Sequence, residues 1–152
     1  MKFTSEHIFR GVSVENYEKL YFDEPFNEAL CVAVRLFRTL DSFEQRDDSI
    51  HRAVTVGPDR EVPGPVAKVI GAKKLLYTEF VDYQRGHYQG TWKTIPTALA
   101  DKVESHGDFQ FIPQGDNVVR RVTGIIKVKL FGVGGLIEKF FVADVQKSYD
   151  QA

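Results

Sequence analysis

At 152 residues the chain has the length of one domain, enough to bury a core without staples. Its 20 Lys and Arg against 21 Asp and Glu give no electrostatic case for nucleic acid or an anionic membrane surface. Cys31 stands alone, which excludes an intramolecular disulfide and a Cys-rich metal site and makes the cytoplasm the default compartment.

Charges fall within Met1 to His7, where a signal peptide would have its apolar core, and no stretch has the roughly 18 apolar residues of a membrane span. The expectation is a soluble protein with no stable membrane insertion. Twelve Phe and six Tyr must go into a core or around a ligand.

Lys2 to Gly11 alternates as a strand, with Phe3, Ser5, His7 and Phe9 on the inward face. Ser13 caps a short helix through Tyr21, and Asp23-Glu24-Pro25 opens a second helix to about Ala33. Leu36 to Arg46 then reads as a strand, turned by Asp47-Asp48 into Ile50 to Val56, where Ile50, Val54 and Val56 share a face. Gly57-Pro58 ends this hairpin. A short helix between Val62 and Gly71, entered through Pro65, follows.

Four more strands are predicted over Lys74 to Arg85, Tyr88 to Ile95, Lys102 to Ile112 and Val118 to Phe131. Short links at Gly86-His87, Pro96-Thr97 and Pro113 to Asn117 imply antiparallel neighbours. From Leu136 the apolar residues Leu136, Ile137, Phe140, Phe141, Val145 and Tyr149 recur at helical spacing after the break at Gly134-Gly135. Asp144 falls among them, where a carboxylate is costly unless paired or solvated.

The order strand, two short helices, six strands and long helix suits an α+β fold, a seven-stranded curved antiparallel sheet wrapped around the C-terminal helix. This layout, with the opening Met1 to His7 and the closing Gly-Val-Gly-Gly-Leu-Ile-Glu-Lys-Phe-Phe, resembles the helix-grip fold of the START-like (SRPBCC) superfamily. That superfamily includes birch-pollen allergen proteins, lipid-transfer START domains and polyketide cyclases. More narrowly the chain looks like a bacterial START-like family of unassigned function. The resemblance implies a cavity between sheet and helix for a lipid or another apolar small molecule.

Carried through the fourth strand, inward parity places either Leu75, Tyr77, Glu79, Val81 and Tyr83 or the alternative set Lys74, Leu76, Thr78, Phe80 and Asp82, of which the first is taken. It places Tyr88, Gly90, Trp92 and Thr94 on the fifth. Ser105, Gly107, Phe109 and Phe111 follow on the sixth. Facing Phe140 and Phe141, these rings form either a ligand wall or core filling. Glycines between them mark places where something approaches the backbone closely. The inward polar residues are His7, Glu79, Ser105 and Arg120, with Asp144 on the helix. A buried Arg120 needs a carboxylate or an anionic ligand group, and Glu79 is the first partner to expect.

No nucleophile elbow, phosphate loop, zinc helix or other cofactor motif is present, and His7, His51, His87 and His106 lack metal-ligand spacing. Three functions stay open. The first is a non-catalytic carrier or sensor of a hydrophobic small molecule. The second is a cyclase-like enzyme using Glu79, His7 or Tyr77 as acid or base. The third is a protein-interaction module.

Overall fold

The computed structural model describes residues 1–58, 61, 63–70, 74–97 and 102–128. Its element order is β1 (Lys2–Arg10), α1 (Val14–Tyr21), α2 (Glu24–Ala33), β2 (Leu36–Arg46), β3 (Ser49–Pro58) and α3 (Gly64–Ile70). The strands β4 (Tyr77–Gln84), β5 (Gln89–Pro96), β6 (Val103–Gln114) and β7 (Asn117–Val128) follow. The long C-terminal helix expected from Leu136, with Phe140, Phe141 and Asp144, lies outside the described residues.

All seven strands form one sheet in the order β1-β7-β6-β5-β4-β3-β2. Every neighbouring pair is antiparallel. Tight links make this possible. The β2–β3 turn is Asp47-Asp48, and Asp47 takes the left-handed φ of 53° that short polar side chains tolerate. Because β1 pairs with β7, the first and last described strands meet, and β2 is left as the far edge. Between Leu40 and Ser42 the β2 ladder shifts register, so Asp41 has no Cα partner on β3.

Capping fixes both N-terminal helices. Ser13 accepts from the Asn16 N–H at 3.2 Å, and Asp23 accepts from the Phe26 N–H at 2.9 Å with Pro25 in the first turn. These contacts satisfy N–H groups that a helix start leaves without partners. The α3 helix starts at Gly64, just before the expected Pro65.

Burial alternates along β1, β4, β5 and β6. Ile50, Val54, Val81, Val118, Val122 and Ile126 are fully buried on the face that carries α1, whose Val14 and Tyr17 join the same core. A ring cluster dominates it. Tyr17 meets Phe111 edge-on at 4.8 Å, Tyr83 stacks on Phe109 at 5.8 Å, and Tyr21 lies 5.5 Å from Phe109.

Candidate functional site

Beside this ring cluster, between the sheet and α1 with α2, lies a cavity of about 610 Å³. Helices and strands both contribute to its apolar wall. Tyr17, Leu20 and Tyr21 come from α1, Phe26, Leu30 and Cys31 from α2, Val56 from β3 and Trp92 from β5. Helical spacing brings Tyr17 and Tyr21 to the same side of α1, and the two rings stand 6.4 Å apart. At the outer end Ile8, Leu20 and Phe26 combine cavity lining with substantial exposure, forming an apolar rim.

Charged side chains interrupt that wall. Arg52 and Arg120 are 6% and 5% exposed, and both line the cavity with Glu79 and Arg38. Arg38 forms a closed pair with Glu24, donating from Nη2 at 2.7 Å and from Nε at 3.0 Å to Oε1. Arg52 donates from Nη1 to the Tyr21 carbonyl at 3.0 Å, and its Nη2 stands 3.5 Å from Glu79 Oε1. Its guanidinium also lies 5.0 Å from the Tyr21 ring and 5.3 Å from that of Phe22. Arg120 sits 5.1 Å from the Phe9 ring and donates to Tyr17 Oη at 3.4 Å.

Burial governs titration here. It pushes Tyr21 up to about 12, against the lowering effect of Arg52. Tyr17 is raised by burial too, with Arg120 opposing. The Cys31 thiol is likewise raised by burial and stays protonated at neutral pH.

The expected site residues divide into groups. Tyr77, Glu79, Trp92 and Arg120 line the cavity together. Tyr83, Phe109 and Phe111 belong to the ring cluster of the core, where Tyr83 donates to buried Glu18 at 2.6 Å. His7 is half-buried on β1, opposite Arg120 in the β1–β7 ladder, and is not among the cavity's described lining residues. Tyr88 precedes β5 instead of opening it, because its left-handed φ of 58° belongs to the β4–β5 turn. Glu79 approaches Arg52, a partner the sequence reading did not name for it. Thr94 and Ser105 hydrogen-bond each other at 2.7 Å.

Several lining residues escaped the sequence reading, and Arg52 is the most telling. It shares parity with Ile50 and Val54, so the alternation that placed those two inward also placed a guanidinium between them. The Tyr17 and Tyr21 pair carried a comparable signal in its i, i+4 spacing. Close approach to the strand glycines comes from the protein itself. A Cβ on Gly124 would stand 2.3 Å from Trp92 Cζ2, and one on Gly90 would stand 2.8 Å from Phe109 Cζ.

Residues 5–152 match the model of a family described as "Protein of unknown function (DUF2505)". The chain belongs to this family. No curated protein matches it in sequence. The DUF2505 chain is similar to the crystal structure of TTHA0849 from Thermus thermophilus, at 16% identity and TM-score 0.62, over 99% of this chain and 90% of that one. It is also similar to the Zhui aromatase/cyclase from Streptomyces sp. R1128, at 11% identity and TM-score 0.60, over 99% and 88%. A START superfamily protein from Mycobacterium smegmatis gives 13% identity and TM-score 0.57, over 99% and 92%. The shared feature is the START-like (SRPBCC) helix-grip fold. Among the described residues, no helix is long and apolar enough to cross a membrane, and no group of His, Cys, Asp and Glu could hold a metal ion.

Proposed function

We propose that this protein binds a hydrophobic or amphipathic small molecule between its sheet and helices, as a non-catalytic cytoplasmic carrier or sensor. The observation that carries the reading is the cavity itself. Its volume of about 610 Å³ falls in the roughly 300–1,000 Å³ span of small-molecule sites. Ring and aliphatic walls with a few fixed polar groups are the usual composition of such sites. Burial of the ligand's apolar body supplies the affinity, at about 25 cal/mol per Å² removed from water. The charged residues orient a polar end.

Native mass spectrometry of the purified protein, followed by denaturing extraction, tests this. A co-purifying amphipath that is lost on filling the cavity supports it. An apo mass, together with failure of apolar probes to shift the emission of Trp92, overturns it.

A cyclase-like enzyme is the second reading, favoured by one observation: Tyr77 and Glu79 stand on the same cavity wall. The likeness to an aromatase/cyclase bears on the fold. Turnover of a polyketide-like substrate, lost in Glu79→Gln with binding kept, would favour catalysis.

A further inference from the structure

Two arginines of the cavity wall, Arg38 and Arg52, meet carboxylates in opposite ways. Arg38 is closed on Glu24, with contacts of 2.7 and 3.0 Å that match the usual charge-assisted distances. Arg52 is open. Its contact with Glu79, at 3.5 Å, lies at the outer limit of a hydrogen bond, and its Nε has no acceptor among the described residues. A guanidinium 6% exposed should have its donors satisfied by the protein, by ordered water or by a ligand. The donors are held in place rather than free to seek solvent, because Nη1 is fixed on the Tyr21 carbonyl and two rings lie beside the plane.

We infer that Arg52 receives the acidic head of the ligand, so that the molecule bound in this cavity is an amphipathic monocarboxylate. The inference rests on the cavity reading proposed above and adds the ligand's chemical class. A carboxylate presents two oxygens to the guanidinium fork and fills Nε and Nη2 together, whereas an alcohol or ketone oxygen fills one. Glu79 is displaced from Nη2 as the head arrives. Its side chain is 19% exposed, which gives it a route toward solvent. Arg10, which reaches the cavity from edge strand β1, adds positive potential on the approach. The apolar body then lies along Tyr21, Leu30 and Trp92.

Calorimetric titration at neutral pH with two matched pairs tests the assignment: dodecanoate against dodecanol, and naphthylacetate against naphthylethanol. The acid of at least one pair should bind about tenfold or more tightly than its alcohol, as expected of a charge-assisted contact. Arg52→Gln should erase that preference while leaving alcohol binding in place. Glu79→Gln should increase it, because a competing carboxylate is gone. Melting curves check that each variant is folded. If Arg52→Gln does not fold, Arg52→Lys keeps the charge without the fork and should lose most of the preference.

Equal binding of acid and alcohol, or a preference that survives loss of Arg52, overturns the carboxylate assignment and leaves the cavity reading standing. Failure of all four probes to bind overturns both.

Discussion

Tyr83 donates its hydroxyl to Glu18 Oε2 at 2.6 Å, tying the fourth strand to the first helix through a buried contact. The same oxygen accepts from the Gly86 N–H at 3.1 Å, so one carboxylate also holds the β4–β5 turn. Because α1 forms one wall of the cavity, this bond sets the distance between that wall and the sheet. Tyr83→Phe should cost about 1.5–3 kcal/mol, the range for a hydrogen bond to a charged group. Urea denaturation of this variant, of Glu18→Gln and of the double variant checks it. The two losses should be less than additive.

Alkaline pH should weaken the fold through its buried phenols. Burial raises Tyr17 and Tyr83 above the ordinary 10.0, with the Glu18 hydrogen bond adding to the effect at Tyr83, and raises Tyr21 to about 12. Above about pH 10 the unfolded chain releases these protons while the folded protein still holds them. The folded state then binds more protons, so stability falls as pH rises. Below that window these groups contribute no pH dependence. Urea midpoints measured across it should decline, and phenolate absorbance should show a late-titrating fraction that shifts early in denaturant.

Two strand glycines should differ in their tolerance of a methyl group. In Gly107→Ala the new Cβ meets the Thr123 carbonyl oxygen at 1.9 Å, an obstacle of backbone on the neighbouring strand. In Gly124→Ala the nearest obstacle is the Trp92 ring at 2.3 Å, with the His106 carbonyl oxygen at 2.8 Å. Overpacking of this kind costs about 1–3 kcal/mol. Gly107→Ala should lose more stability than Gly124→Ala, whereas Gly124→Ala should shift the emission of the single tryptophan more. Thermal melts and fluorescence spectra decide both points.

Filling the cavity should separate binding from folding. Leu30 is half-buried on α2 and lines the cavity, so Leu30→Trp places its ring into the cavity volume. The expected result is at least a tenfold loss of affinity for dodecanoate with little change in melting temperature. Calorimetry beside a thermal melt measures the two quantities.

Local rules made most of the framework legible. Ser13 and Asp23 announced two helices through side chains that accept from the first turn, and alternation gave the inward face of β1 and β6 without knowledge of the partners, while on β4 it left two faces to choose between. A strand has two faces, so even an imprecise boundary preserves the sorting of its side chains. Turn conformation was less accessible: Tyr88 continues the alternation of β5, yet its positive φ puts it in the preceding link. The site was only half legible because parity says which way a residue points and not what fills the space in front of it. Tyr83 and Phe109 point inward as expected and spend their surface on each other, while Trp92 and Tyr77 border the cavity. The partner of Glu79 depended on strand order. Pairing of β3 with β4 brings Arg52 beside it, a neighbour that spacing along one segment cannot supply.

The register shift in β2 bears on how the molecule behaves in a crowded solution. β2 is 11 residues long at the margin of the sheet and carries exposed Leu40 and Phe43, and among the described residues no further strand pairs with its outer side. At Asp41 the regular ladder breaks, and the carboxylate is held by the Thr55 hydroxyl at 2.6 Å. A second strand adding there would lose its pairing midway and meet a negative charge. The irregularity therefore acts as a guard against edge-to-edge aggregation, allowing apolar side chains to stand at that margin.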